Sequence, residues 1–251
     1  MKFKFVPTLE KLKDLYGIPV GPARFQAYLD TVVGGAQRSA DVLLAPLVQA
    51  NPMAKAHALE CVERWIALGT EDRAREWLEE VQTRFAEVTF NGTVKVGFTV
   101  LDDLKGGWTN RFFNDAARFK TGETLERTGW VSLPLWTSEV PMLDSLRPLV
   151  LEGAFRAGYG TQHGDPQTLA EMLRQEGLSA QFAGRVLEFD AAELEYSRAV
   201  LAPHLCSAQQ PLTYACMYGD DAAREMGYAP LGLSRYAGFQ VGLANALEGQ
   251  T

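Results

Sequence analysis

Hydrophobic positions in the first third of the chain recur at helical spacing. Thr8 is a typical cap for a helix over residues 9–16, and a second helix is expected over residues 22–33. The clearest helix covers residues 51–69, because asparagine and proline begin it and glycine ends it. Thr70 caps the next helix, so the pattern predicts an αα-hairpin of two antiparallel helices.

The pattern changes from helical to alternating over residues 88–100, where β-branched side chains are frequent. Asn91 and Gly92 lie inside this run, and Asn-Gly between alternating segments is a strong hairpin signal. Another strand is expected over residues 129–136, where Pro134 favours the edge of a sheet. The sequence therefore predicts a small antiparallel hairpin or sheet in the middle of the chain.

The second half of the chain is mostly helical in pattern. A helix over residues 143–159 contains Pro148, which predicts a kink. Asp165 and Pro166 are typical of a helix start, and Gly177 is typical of its end. Later helices are expected over residues 191–202, 211–218, 220–226 and 234–248.

Together these patterns predict a mainly α (α+β) protein, a multi-helix globular fold with a small antiparallel β-hairpin. A boundary near residue 87 divides a helical amino-terminal subdomain, residues 1–87, from an α+β subdomain, residues 88–251. The second subdomain carries the candidate site. Because nothing near the boundary resembles a flexible linker, we expect one compact unit.

Composition excludes several classes of protein. The chain has 251 residues, 47% of them hydrophobic, and this is the composition of a globular protein with a substantial core. A net charge of -7 disfavours a nucleic-acid partner. No apolar run reaches the roughly 20 residues that cross a bilayer, so no membrane partner is expected. Three cysteines without a CxxC motif indicate a soluble protein of the reducing cytoplasm.

Candidate catalytic groups concentrate between residues 102 and 164. His163 ends the glycine-rich segment 158–164 and precedes a predicted helix start, where backbone amides favour an anion. His163 is therefore a candidate general base, and Glu139 is a candidate partner that orients it or binds a metal. The alternatives are that the glycines only turn the chain and that Glu139 is a first-turn helix acid.

Candidate substrate-binding residues are aromatic, or carry a guanidinium that binds carboxylates in a bidentate manner. They are Trp108, Arg111, Trp136, Arg156 and Tyr159. A purely structural role explains part of this set. Trp108 precedes a predicted helix and is suited to packing against its first turn, and Arg156 is spaced to pair with Glu152 on one helix face.

Other combinations of reactive residues are weaker. His57, Glu60 and Cys61 share one face of a predicted helix, but HExxH and paired ExxH motifs are absent from the sequence. We interpret them as a partly exposed helix face. His204 and Cys206 are two residues apart, which does not favour a Cys-His dyad. The sequence thus identifies neither a metal nor a cofactor.

Two hypotheses of function follow. The first is an enzyme with hydrolase-like acid–base chemistry that acts on a small polar or anionic substrate. The second is a non-catalytic interaction or oligomerising scaffold, in which Trp108, Trp130 and Trp136 form an exposed aromatic patch. The sequence leaves open whether the protein is an enzyme and whether it forms a homo-oligomer.

Overall fold

The computed structural model of the chain describes residues 1–34, 43–104 and 109–249. Its residues divide into two units of close contacts. The first unit comprises Met1–Arg111 and Glu123–Gly158, and the second comprises Phe112–Gly122 and Tyr159–Thr251. The predicted division into residues 1–87 and 88–251 stays a prediction about folding subdomains.

The described chain is mainly helical with three short strands. From the amino terminus to residue 136 the elements are β1 (Lys2–Phe5), α1 (Leu9–Gly17), α2 (Pro22–Val33), α3 (Ala56–Ala67), α4 (Thr70–Arg84), β2 (Thr93–Leu101), α5 (Arg111–Asp115), α6 (Thr121–Thr128) and β3 (Trp130–Trp136). The later helices are α7 (Leu143–His163), α8 (Leu169–Phe182), α9 (Ala191–Leu201), α10 (Gln210–Tyr218), α11 (Asp220–Glu225) and α12 (Ala237–Leu247). Short 3-10 helices cover Ala45–Gln49, Ala116–Lys120 and Ala202–His204.

The sheet corrects the predicted fold class, because its strands are all parallel in the order β1-β2-β3. The predicted antiparallel hairpin around Asn91 and Gly92 is wrong. Lys2–Phe5 pairs with one edge of β2, and Trp130–Trp136 pairs with the other. Both edges of β2 are therefore occupied by parallel partners. The Asn-Gly step only leads the chain into β2, and helical connections return it between strands.

Helices cover both faces of this sheet, as is usual for parallel strands. On one face α7 approaches so closely that a Cβ at Gly153 would lie 2.4 Å from Leu133 Cδ2. On the other face Gly97 lies against Pro46 and Thr8. Strand β2, within the alternating run that suggested a hairpin, is buried from Val96 onward, because each face has a helical layer.

Several helix predictions for the first unit are confirmed, and one is corrected. Helices α1, α2 and α4 lie where the pattern placed them, and Gly34 ends α2 in the left-handed conformation. Helix α3, however, begins only at Ala56. Asn51 forms a turn instead, since its side-chain oxygen accepts a 2.9 Å hydrogen bond from the Met53 N–H.

The second unit is built around an aromatic core. Phe112, Phe119, Tyr214 and Tyr218 are buried there, and the Tyr218 and Phe239 ring centroids are 5.2 Å apart. The larger aromatic side chains fill the space between α8, α10 and α12 and the 112–120 segment.

Glycines permit close packing of α8 and α12. A Cβ at Gly177 would lie 2.1 Å from the carbonyl oxygen of Gly242. Gly177 therefore lies inside α8 rather than at its predicted end. The helix also begins later than predicted, because Thr168 and Glu171 form its capping box.

Among the described helices, none combines the length and the apolar character that a membrane-spanning segment requires.

Candidate functional site

Two polar loops meet at the edge of the sheet that is formed by the carboxyl ends of its parallel strands. Asp102 and Asp103 follow β2, and residues 137–139 follow β3, where Leu101 and Trp136 are paired in register. Ligands of open parallel sheets bind outside the carboxyl ends of the strands. We call the polar residues that meet there the carboxyl-edge cluster. Its members are His57, Asp102, Asp103, Arg111, Thr137, Ser138 and Glu139.

Asp103 is the centre of this cluster. Its Oδ1 accepts hydrogen bonds from the Thr137 hydroxyl at 3.1 Å and from the Ser138 N–H at 2.9 Å. Its Oδ2 accepts a 2.6 Å hydrogen bond from the Ser138 hydroxyl. The Asp103 side chain is only 7% exposed, whereas Ser138 is exposed. A nearly buried carboxylate is thus joined to a hydroxyl that solvent reaches.

Arg111 adds the positive charge. Its Nη1 donates to the Ser138 hydroxyl oxygen at 3.2 Å and lies 3.6 Å from Asp103 Oδ2, and its Nη2 binds Glu139. The guanidinium carbon lies 5.1 Å from the centroid of the Trp136 ring. An aromatic face and two carboxylates therefore fix the guanidinium beside the serine.

His57 holds the inner end of the cluster. It lies in the first turn of α3, and its Nε2 lies 2.8 Å from Asp102 Oδ1. The Asp102 side chain is 2% exposed, and its Oδ1 also accepts from Thr137 at 3.3 Å. A carboxylate only accepts hydrogen bonds, so the Nε2–H of His57 donates to Asp102. The Thr137 hydroxyl has one proton to donate, and it is shared between Asp102 and Asp103.

Buried groups near the cluster are held in their neutral forms. Burial raises the pKa of the Tyr16 phenol, and the charge of Asp102 raises it further. Burial also raises the pKa of the Cys61 thiol to about 11. Cys61 is therefore a protonated thiol at neutral pH, and it is poorly suited to nucleophilic attack or metal binding. Within residues 1–34, 43–104 and 109–249, no group of three or more His, Cys, Asp or Glu side chains is arranged to hold a metal.

The structure brings three of the residues that the sequence suggested into this cluster. Glu139 and Arg111 bind each other, and Trp136 lies beneath the guanidinium. Trp136 is 4% exposed, so it supports Arg111 rather than offering a face to a ligand. Trp108 lies outside the described residues.

The other suggested residues lie on α7. Arg156 belongs to the first unit, is buried, and has Glu152 Oε2 4.0 Å from its Nη1. Tyr159 and His163 belong to the second unit, where their ring centroids are 4.4 Å apart and His163 is exposed. The proposed action of Glu139 on His163 stays a prediction.

Sequence reasoning missed Asp103, Thr137 and Ser138, and it assigned His57 to an ordinary helix face. The missing signal was strand direction. Once the strands over 93–101 and 130–136 are taken as parallel, the polar residues after each strand are expected to meet. His57 is recognisable only from the three-dimensional structure, because 45 residues separate it from Asp102.

Two of the three tryptophans required by the scaffold hypothesis are buried. Trp130 is 3% exposed and Trp136 is 4% exposed, so they do not form an exposed aromatic patch.

Comparisons with known proteins found no matching family model, no matching curated protein and no matching solved structure.

Proposed function

We propose that the carboxyl-edge cluster is a hydrolytic active site for a small polar substrate. The observation that carries this proposal is the grouping of Asp103, Ser138 and Arg111 within hydrogen-bonding or ion-pair distance at an exposed sheet edge. A carboxylate can accept the proton of an attacking hydroxyl or water, and a guanidinium beside it can stabilise the negative charge that develops during hydrolysis of an ester.

Each side chain has a distinct role in this proposal. Asp103 accepts the proton of the attacking group, and Arg111 stabilises negative charge as it develops. Glu139 holds the guanidinium in place. His57 fixes the Asp102 carboxylate, which accepts from Thr137, and is therefore a positioning residue.

The charge of the cluster favours a neutral substrate. Three carboxylates, Asp102, Asp103 and Glu139, face one guanidinium and one histidine. An anion entering this edge would meet more negative than positive charge, because the three carboxylates outnumber the guanidinium and the histidine together. We therefore propose a neutral polar ester rather than an anionic substrate.

Hydrolysis of p-nitrophenyl acetate by the purified full chain tests the proposal. Asp103→Asn keeps the size of the side chain but removes the base. We expect the rate above buffer to fall about 100-fold to 10,000-fold, the usual contribution of a general base. Asp144→Asn is the control, because Asp144 is an exposed carboxylate in the first turn of α7.

Thermal melting of both variants checks that each is folded at the assay temperature. A wild-type rate equal to buffer, or a folded Asp103→Asn variant as active as wild type, contradicts the proposal.

We also propose a reducing compartment for this protein. Cys61, Cys206 and Cys216 are all free thiols, and Cys61 and Cys216 are buried. Mass measurement of alkylated protein from cells tests it, since a disulfide between any two of them would contradict the proposal.

A further inference from the structure

We infer that Ser138 is the nucleophile of this site, and that the protein forms an acyl-enzyme with small esters. The inference rests on the proposed function. The inference goes beyond the proposed function, because Asp103 would serve equally well as the base for a water molecule, without any covalent intermediate.

The geometry of Ser138 distinguishes it from an ordinary loop serine. Its hydroxyl donates to Asp103 Oδ2 at 2.6 Å, within the range of about 2.5–2.7 Å that is typical of a hydroxyl and a carboxylate. Its own N–H binds Asp103 Oδ1 at 2.9 Å. These two bonds to one carboxylate fix the hydroxyl against its base while solvent still reaches Ser138.

Arg111 favours loss of the hydroxyl proton. Its Nη1 donates to the Ser138 oxygen at 3.2 Å, so the guanidinium stabilises negative charge on that oxygen. Because the ring of Trp136 and the carboxylate of Glu139 hold Arg111, little reorganisation is needed as charge develops.

The chemical steps balance without a cofactor. The Ser138 oxygen bonds to the ester carbonyl carbon while its proton passes to Asp103. The bond from that carbon to the leaving alcohol oxygen breaks, and the alcohol takes the proton from Asp103. Water then attacks the acyl carbon and gives its proton to Asp103. The bond to Ser138 breaks, Ser138 recovers the proton, and the net products are an acid and an alcohol.

The chain contains a matched serine that lacks this environment. Ser145 is also exposed and lies seven residues later in the first turn of α7, but its hydroxyl donates to the carbonyl oxygen of Met142 at 2.9 Å. A backbone carbonyl is a much weaker base than a carboxylate. Ser145 should therefore be inert under conditions in which Ser138 reacts.

A fluorophosphonate probe tests the nucleophile directly. The serine oxygen displaces fluoride from phosphorus, so the adduct is stable and peptide mass spectrometry locates it. We expect one adduct per chain, at Ser138. The labelling rate should fall about 100-fold or more in Ser138→Ala and in Asp103→Asn, and stay unchanged in Ser145→Ala.

Labelling and p-nitrophenyl acetate hydrolysis together separate the two proposals. Hydrolysis could depend on Asp103, persist in Ser138→Ala and occur without an adduct at Ser138. That result would show that Ser138 is not the nucleophile, and it would still support the proposed function. An adduct at Ser138 without ester hydrolysis supports the nucleophile and contradicts the hydrolase. If the protein shows no adduct at Ser138 and no ester hydrolysis, both proposals are overturned.

Discussion

Two arginines in this chain have almost the same set of partners in very different surroundings. Arg111 lies between Asp103 and Glu139, 5.1 Å from the Trp136 ring centroid. In the second unit, Arg118 lies between Asp115 and Glu176, 5.0 Å from the ring centroid of an aromatic residue, Phe239. An arginine, two carboxylates and an aromatic ring therefore do not by themselves identify a functional site.

The difference lies in what surrounds the charges. Arg111 begins α5, its partners extend from loops after strands, and the exposed Ser138 lies among them. Arg118 instead binds Glu176, which is 3% exposed and accepts a further 3.1 Å bond from the buried Gln175. The first network is partly open to solvent, and the second connects helical segments of the second unit through a buried carboxylate. We expect the first to matter for turnover and the second for folding.

The largest effect on stability should come from Arg118→Ala. It leaves the Glu176 carboxylate buried without its guanidinium partner, and removing one member of a buried ion pair costs about 3 kcal/mol or more. Urea unfolding measures the loss of free energy. Arg224→Ala is the control, since Arg224 is 59% exposed and should change stability by less than about 0.5 kcal/mol. Equal effects of the two variants would contradict a structural role for the Arg118 network.

A moderate, pH-dependent effect should come from Asp220→Asn. Burial raises the pKa of the Asp220 carboxyl, but hydrogen bonds from the N–H groups of Leu231, Leu233 and Gly232 outweigh burial and lower it overall. A lowered folded-state pKa means that the ionised carboxylate stabilises the fold above the ordinary aspartate pKa. That contribution is lost as pH falls through the folded-state pKa.

At pH 7 the Asp220→Asn variant should lose about 1.5 kcal/mol, the lower range for hydrogen bonds to a charged group. The difference from wild type should shrink below about pH 4, near the ordinary aspartate pKa. The midpoints of urea unfolding between pH 3 and 7 measure this difference in stability. Asp221→Asn is the control, because the Asp221 side chain is 85% exposed. A difference that does not vary with pH would show that the Asp220 charge is not what stabilises the loop.

The smallest effect on stability should come from Arg111→Ala. Its guanidinium is 23% exposed and Glu139 is 43% exposed, so this pair is screened by solvent. The nearly buried Asp103 keeps its hydrogen bonds from Thr137 and Ser138 when the guanidinium is removed. We expect a loss below about 1 kcal/mol in urea unfolding, similar to that of Arg73→Ala on the surface of α4. A loss as large as that of Arg118→Ala would remove the distinction between the two networks.

The positions of most helices were predictable, because apolar spacing and flanking proline and glycine are local signals. Pro22 and Gly34 bound α2 as the sequence suggested, and β3 lies at an edge with Pro134 inside it. The direction of the strands was not predictable in the same way. Asn91 and Gly92 give a local hairpin signal, but β1, about 90 residues away in sequence, competes for the same edge of β2 and pairs with it.

An antiparallel hairpin does not predict that the residues after β2 and β3 meet, so the wrong strand direction also affected the predicted site. Glu139 and Arg111 stood out as a carboxylate and a guanidinium in loops, and they do meet. Asp103 and Ser138 were given no role, because only a parallel sheet brings the ends of β2 and β3 to one edge. Asp103 and Ser138 are residue types that often act in catalysis, but their proximity depends on strand direction, which the sequence did not show.

The most direct test of the account is the ester hydrolysis rate per folded molecule of Arg111→Ala and Arg118→Ala, with the folded fraction taken from unfolding curves. The account predicts that Arg111→Ala loses about 100-fold or more, the usual cost of removing a donor to developing negative charge. Arg118→Ala should keep the wild-type rate per folded molecule. Full activity in Arg111→Ala, or an equal loss in both variants, would contradict the claim that the carboxyl-edge cluster is the site of catalysis.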